Sequence, residues 1–436
     1  MSLLALPEEI ILLIMESLSD ARDSLARLMQ CCRITNRIGH PVLYKLILLP
    51  EMGKLYYDSL IHRREDVLQN ILPYHLKLNK DEPQLLFGAL RHAVEFGSTR
   101  SASFWLENGA PLSHPVDDNP ANDNLPMKAI QGDHLEVMSL LLSHNVDPSA
   151  IVDSAKVYDT SQDTHTAGAA TVLHYAAKKG ASKIASYFIA SGIDVNALNQ
   201  YGMSVLSKAA MFRQIETARV LIEAGADVNI PDVNGWTPFT YAVRNGDPCL
   251  VHLFIGSDGD LSVRDALGRT LLWHAAGSAN PSNIVLLAGK GIPIDATNHR
   301  GQTVLVHAAW RGLRDVVRLL VAAGADVNFR DRGGKTPLMY ASTNRYCTTL
   351  RELLVSGADI QLQDKKGKTA LMYAAREQQD NIVRMLLDAR AKVNVRDSNG
   401  RRATYYASLI RASGVFRILG NAGAKFTKSD LRRQGL

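Results

Sequence analysis

The chain has 436 residues, 46% of them apolar, 21% charged and 6% aromatic, with a net charge of +6. That is more than one ordinary hydrophobic core holds, so several domains or an extended repeat array are expected, and no apolar run approaches the roughly 18 residues of a membrane span. Four cysteines (Cys31, Cys32, Cys249, Cys347) contain no Cys-x-x-Cys pair, which argues against a disulfide framework or a zinc site and for a reducing compartment, cytoplasmic or nuclear. Glu8 and Glu9 stand where a secretory leader would need apolar residues, so no such leader is expected.

Residues 1–50 are predicted as three short helices. Leu6-Pro7-Glu8-Glu9 suits a helix start, with proline and acids in the first turn, and Ile10, Leu13, Ile14 and Leu18 keep helical spacing. A second apolar series runs through Leu25, Leu28, Met29 and Cys32, and a third carries Ile34 and Ile38 before Pro41. The order Leu3, Leu6, Pro7, Glu9, Ile10, Ile14, Leu18, then Leu25, Leu28, Cys32, Arg33, then Pro41-x-Leu43-Tyr44, resembles the F-box over nearly its whole length. That resemblance implies docking on a Skp-type adaptor of a cullin–RING ubiquitin ligase, with Leu6, Pro7, Ile10, Ile14, Leu18 and Leu28 as the adaptor-binding side chains. The alternative is a helical cap for whatever follows, needing no partner.

Residues 51–167 are less regular. Asp66 to Leu72 has the look of one amphipathic helix, a clearer unit includes Ala93, Gly97 and Gly109-Ala110, and another includes Ala129 and His134 to Leu142. The polar stretches 115–124 and 148–167 are predicted as loops, the second an insertion protruding from its neighbours.

From residue 168 onward one pattern repeats every 33 residues. Gly202, Gly235, Gly268, Gly301, Gly334, Gly367 and Gly400 keep that register. So do the alanines from Ala176 to Ala407 and the Asx residues Asn199, Asp232, Asp265, Asn298, Asp331, Asp364, Asp397 and Asp430. Within one period, Asp331-x-x-Gly334 reads as a tight turn. Thr336-Pro337 reads as a helix start, with Leu338 and Ala341 on one helix face. Leu350, Leu353 and Leu354 mark a second helix closed near Gly357. Such units bury their apolar faces only against neighbouring copies, as in a solenoid. With the tags Thr171-x-Leu173-His174 and Gly-Ala-Asp-Val-Asn at 225–229 and 324–328, the unit resembles the ankyrin repeat. The expected fold is therefore all-α: a three-helix F-box (1–50), degenerate repeats with inserted loops (51–167), and eight regular repeats with a C-terminal cap (168–436).

No catalytic constellation emerges. Gly334-Lys335-Thr336 and Gly367-Lys368-Thr369 imitate the end of a phosphate loop, but Phe329 and Leu362 stand where its first glycine belongs. His274 and His307 share a repeat column with Tyr175, Tyr241, Tyr340, Tyr373 and Tyr406, a structural position rather than a metal pair. Neither enzyme activity, nor a metal, nor a cofactor is expected. The eight basic residues against one acid in 401–436 fit a polar cap; without stacking aromatics they predict no nucleic-acid partner.

Recognition is left to the columns that vary. The position after the turn glycine and the positions after the paired small residues bring up Phe212, Trp236, Arg244, Trp310, Arg311, Lys335 and Lys368, aromatics flanked by bases, as target-binding candidates. The expected function is that of an F-box/ankyrin adaptor. It would join a Skp-type adaptor and cullin complex to an acidic protein target, and be monomeric apart from that complex. The alternative is a non-ligase ankyrin scaffold.

Overall fold

The computed structural model describes residues 83–113, 124–146, 172–278, 282–410 and 414–436. Leu6, Pro7, Ile10, Ile14, Leu18 and Leu28, the segment 51–82 and the insertion 148–167 lie outside the described residues. The chain divides into two compact units, Met1–Ala167 and Gly168–Leu436. Among the described residues there is no strand, only an isolated bridge between Leu198 and Ser204.

In the first unit Pro83–Glu95 packs on Thr99–Glu107, and Leu125–Gln131 on Leu135–Ser143. Ser98 and Asn124 accept from the backbone N–H three residues on, capping the helices they precede. Leu90, Ala93, Ala102 and Trp105 are buried in the first hairpin, Ala129, Ile130, Val137 and Leu141 in the second. These are the two helical units that the sequence places around Ala93 and Ala129.

Among its described residues the second unit is a stack of eight helix pairs closed by a ninth element. The first helices run from Val172–Lys179 through Pro337–Ala341 to Ala403–Ala407, and the second from Ser182–Ala190 through Cys347–Val355 to Gly414–Asn421. Helices of five to nine residues are unstable alone, so packing must hold them. Each first helix packs on the next first helix, and the second helices pack on one another in the same way except between Pro248–Gly256 and Ser282–Gly289, where the contact is weaker. The alanine column explains how. Ala176, Ala209, Ala242, Ala275, Ala308, Ala341, Ala374 and Ala407 are all fully buried, and a methyl group lets neighbouring helices approach closely. Leu206, Leu305 and Leu338 fill the space beneath them, and Leu320, Leu353 and Leu386 do so from the second helices.

Helix starts follow the sequence. Thr336 accepts from Met339 N with Pro337 at the first position, and Thr237, Thr303 and Thr369 cap in the same way. Gly357 takes φ +88° just past the second helix, the left-handed position that ends it. Asp430 departs from the expectation. It keeps the 33-residue register but opens no turn; it is the third residue in the first turn of the closing helix Lys428–Gln434. There it forms a reciprocal capping box with Thr427 and is 1% exposed. Arg432 and Arg433 sit in that helix's last turn, where positive charge is favoured. Part of the basic C-terminus is therefore helix-end chemistry.

Candidate protein-binding face

The face is built on the turns. In each regular turn the Asx Oδ1 accepts two backbone N–H groups; for Asp364 these are Lys366 N at 2.9 Å and Lys368 N at 2.8 Å. This fixes the hairpin without any side chain at the glycine. Gly367 has φ +70°, and a Cβ there would come within 2.7 Å of Ser398 N in the next turn. The tips are joined across repeats by single backbone bonds, such as Lys365 N to Gly333 O and Ser398 N to Lys366 O.

The second Asx oxygen accepts from the aromatic column nine residues on. Tyr241, Tyr340, Tyr373 and Tyr406 donate to Asp232, Asp331, Asp364 and Asp397 at 2.6–2.7 Å. Burial and then the bond to its aspartate raise three of these phenols, Tyr340 and Tyr406 to about 12 and Tyr373 further still. The rings stay neutral donors, and the turn aspartates have their oxygens committed inside the fold.

At Trp236, Lys335 and Lys368 the residue after the turn glycine then inserts between the column ring of its own repeat and that of the next. Trp236 sits edge-on to Tyr241 (5.3 Å) and to His274 (5.1 Å), with the Arg244 guanidinium over it at 4.5 Å. Gln302 donates to the Tyr340 hydroxyl across repeats at 3.1 Å. Lys335 lies over Tyr340 (5.2 Å) and Tyr373 (4.8 Å), and Lys368 over Tyr373 (5.8 Å) and Tyr406 (4.8 Å). Each such cation–π contact contributes about 0.5–2 kcal/mol according to burial. The result is a ladder of alternating rings and inserted side chains.

Two histidines interrupt the tyrosine column. Burial lowers His274 to about 4, outweighing the Asp265 carboxylate 3.2 Å away. Burial, with the charges of Arg311 and Arg269, lowers His307 to about 4 as well. Both rings are uncharged at neutral pH and pack with tryptophans: His307 lies 4.8 Å from Trp273 and 6.1 Å from Trp310. Trp273 is buried, and its indole N–H has no hydrogen-bond partner among the described residues. No group of three or more metal-holding side chains occurs among the described residues, and no described helix is long and apolar enough to cross a membrane.

A family model for ankyrin repeats matches overlapping stretches from residue 90 to residue 430, namely 90–198, 151–232, 173–265, 239–331, 284–364 and 338–430. The chain belongs to the ankyrin-repeat family. Among solved structures it is similar to the ankyrin repeat domain of Bcl-3, a member of the IkappaB protein family: 28% identity over 49% of this chain and 97% of that one, TM-score 0.45. It is also similar to the human ASB11 ankyrin repeat domain, with 23% identity over 58% of this chain and 99% of that one, TM-score 0.35. No curated protein matches the chain. Ankyrin arrays are protein-interaction scaffolds, which is the level of function that the family assigns.

Within the ankyrin array the sequence-predicted candidates separate into two settings. Trp310 is 48% exposed, and Arg244 and Arg311 are exposed beside the column. Trp236, Lys335 and Lys368 are half-buried, held in the ladder between repeats. Phe212 is also half-buried and lies under Lys178 (5.1 Å) and Lys208 (5.9 Å). The ladder thus brings Trp236 together with Arg244 and Lys335 with Lys368. Sequence reasoning missed the tyrosine–aspartate bonds, although the nine-residue offset between the two columns was there to be read. It also missed Tyr346, which is 43% exposed and lies across Gly312 of the preceding ankyrin repeat.

Proposed function

We propose that the chain is the substrate-recognition subunit of an SCF-type cullin–RING ubiquitin ligase. Residues 1–50 dock a Skp-type adaptor through Leu6, Pro7, Ile10, Ile14, Leu18 and Leu28, and the ankyrin array holds an acidic protein target. The F-box-like order of those residues supports the first half. The second half rests on one observation, the ladder itself: cations clamped between rings at repeat spacing, next to aspartates whose oxygens are already bonded inward. Exposed Trp310 with Arg311 adds an anchor of the kind that dominates interface energies. The protein works without chemistry of its own. Tethering raises the target's effective concentration beside the ubiquitin-charged enzyme.

Copurification tests the docking half. The full chain is expected to retain a Skp-type adaptor, and the Leu6→Ala/Ile10→Ala double variant to lose it while the ankyrin array stays folded. An adaptor that stays bound to the double variant removes the docking assignment. A wild-type chain that never binds the adaptor leaves the ankyrin scaffold with an N-terminal cap.

A further inference from the structure

We infer that the C-terminal ladder reads an extended acidic segment whose carboxylates recur at every third residue; this rests on the proposed acidic target and specifies its register. Lys335 and Lys368 lie on the same ring, Tyr373, at 4.8 and 5.8 Å from its centroid. Their ammonium groups are therefore no more than about 11 Å apart, in keeping with helices that pack about 8–10 Å apart. Arg401 continues the column one repeat further, its guanidinium 4.5 Å from the Tyr405 ring.

A polyproline-type segment rises about 3.1 Å per residue with three residues per turn, so every third side chain shares one face at about 9 Å spacing. A flat β-strand repeats its face every second residue, at about 6.6 Å or 13 Å, on either side of the roughly 8–10 Å at which equivalent positions of packed helices recur. An α-helix reaches the spacing only at every seventh residue and needs an apolar groove for its buried face. The ladder offers no such groove, because Tyr373 and Tyr406 are only 5% and 4% exposed beneath the cations.

The cations are prepared for this role. Rings on both sides restrict the Lys335 and Lys368 stems, which lowers the ordering cost of binding. Among the described residues neither lysine is in a salt bridge, whereas Arg269, Arg314 and Arg376 are. Burial, then the charge of Arg376, lower Lys368 more than Asp364 and Asp397 raise it, so an incoming carboxylate adds charge compensation the fold leaves incomplete. The same enclosure argues against nucleic acid, since rings already covered by lysine leave no face for a base to stack on.

The test is fluorescence anisotropy on the full chain at low salt. The probes are labelled peptides of equal length carrying three Glu each, spaced at every third position in a Pro-rich frame, at every second position, or at every seventh in a helical peptide. A single-stranded oligonucleotide is the fourth probe. The every-third peptide is expected to bind at least about threefold tighter than the every-second one, within what one exposed ion pair contributes. Lys368→Met, which keeps the stem, is expected to abolish that preference, and Lys368→Arg to keep it. If Lys368→Met disturbs the fold, Arg401→Met at the exposed end takes its place. Equal binding of the two extended peptides overturns the register and leaves the acidic target standing. Binding of no peptide overturns both, and tighter binding of the helical peptide or the oligonucleotide overturns the inference.

Discussion

Tyr373→Phe removes one oxygen and leaves the ring on which Lys335 and Lys368 rest. That oxygen donates at 2.7 Å to Asp364 Oδ2, and Asp364 is 6% exposed. A hydrogen bond to a charged group contributes about 1.5–3 kcal/mol. Asp364 keeps its two backbone donors, so the expected loss lies near the lower figure, about 1.5–2 kcal/mol. Tyr405→Phe is the control. Its ring lies between the Arg401 and Arg433 guanidiniums at 4.5 and 4.7 Å, and its hydroxyl makes no hydrogen bond among the described residues, so its change should stay within about 0.5 kcal/mol. Stability is to be read from urea unfolding followed by circular dichroism. Because repeat arrays can open piecemeal, hydrogen exchange over 364–407 should be followed in parallel. A Tyr373→Phe variant as stable as the Tyr405→Phe control would refute the claim that the tyrosine–aspartate bonds hold the turns.

Three further outcomes are expected. Trp236→Ala should cost about 2–3 kcal/mol because it empties the space between Tyr241 and His274, whereas Trp310→Ala should cost under about 1 kcal/mol and weaken target capture instead. Arg390, exposed at φ +66° where Gly324, Gly357 and Gly423 occupy the same column, should yield about 0.5–1 kcal/mol on Arg390→Gly, read as a higher urea midpoint. His174, 1% exposed, is lowered to about 4 chiefly by burial, so the unfolded chain binds the extra proton between pH 6.5 and 4. Its contribution is complete above pH 6.5 and is lost as pH falls toward 4, by up to about 3 kcal/mol. An uncharged replacement, His174→Gln, should lessen the fall of the urea midpoint between pH 7 and pH 5, with His274 and His307 supplying the remainder; an unchanged slope would remove His174 as a source.

The 33-residue register made the helix pairs legible because one repeat needs only its neighbours. Thr336-Pro337, the alanine column and Gly357 carry local rules that nothing tertiary overrides. Contacts that cross repeats were harder to see. Trp236 and Lys335 stand at turn positions that look like surface, yet each meets a ring 38 residues away, in the next repeat. Periodicity within a repeat does not show that step, although the two columns and the period together contain it. Asp430 shows the opposite failure, since a residue can keep the register while its backbone has left the pattern for a helix. Trp310 is where the surface expectation and the fold agree, because it stays 48% exposed although one side of its ring meets His307.

The proposed ligase role requires that capture by the ankyrin array lead to ubiquitin-dependent loss of what is captured. The direct measurement is the half-life of a protein bound by the array, in cells carrying the full chain or its Leu6→Ala/Ile10→Ala variant. Rapid loss is expected with the full chain, and a longer half-life with the variant although the protein remains bound to it. The same half-life in both, with binding intact, would contradict the ligase role and leave an ankyrin scaffold.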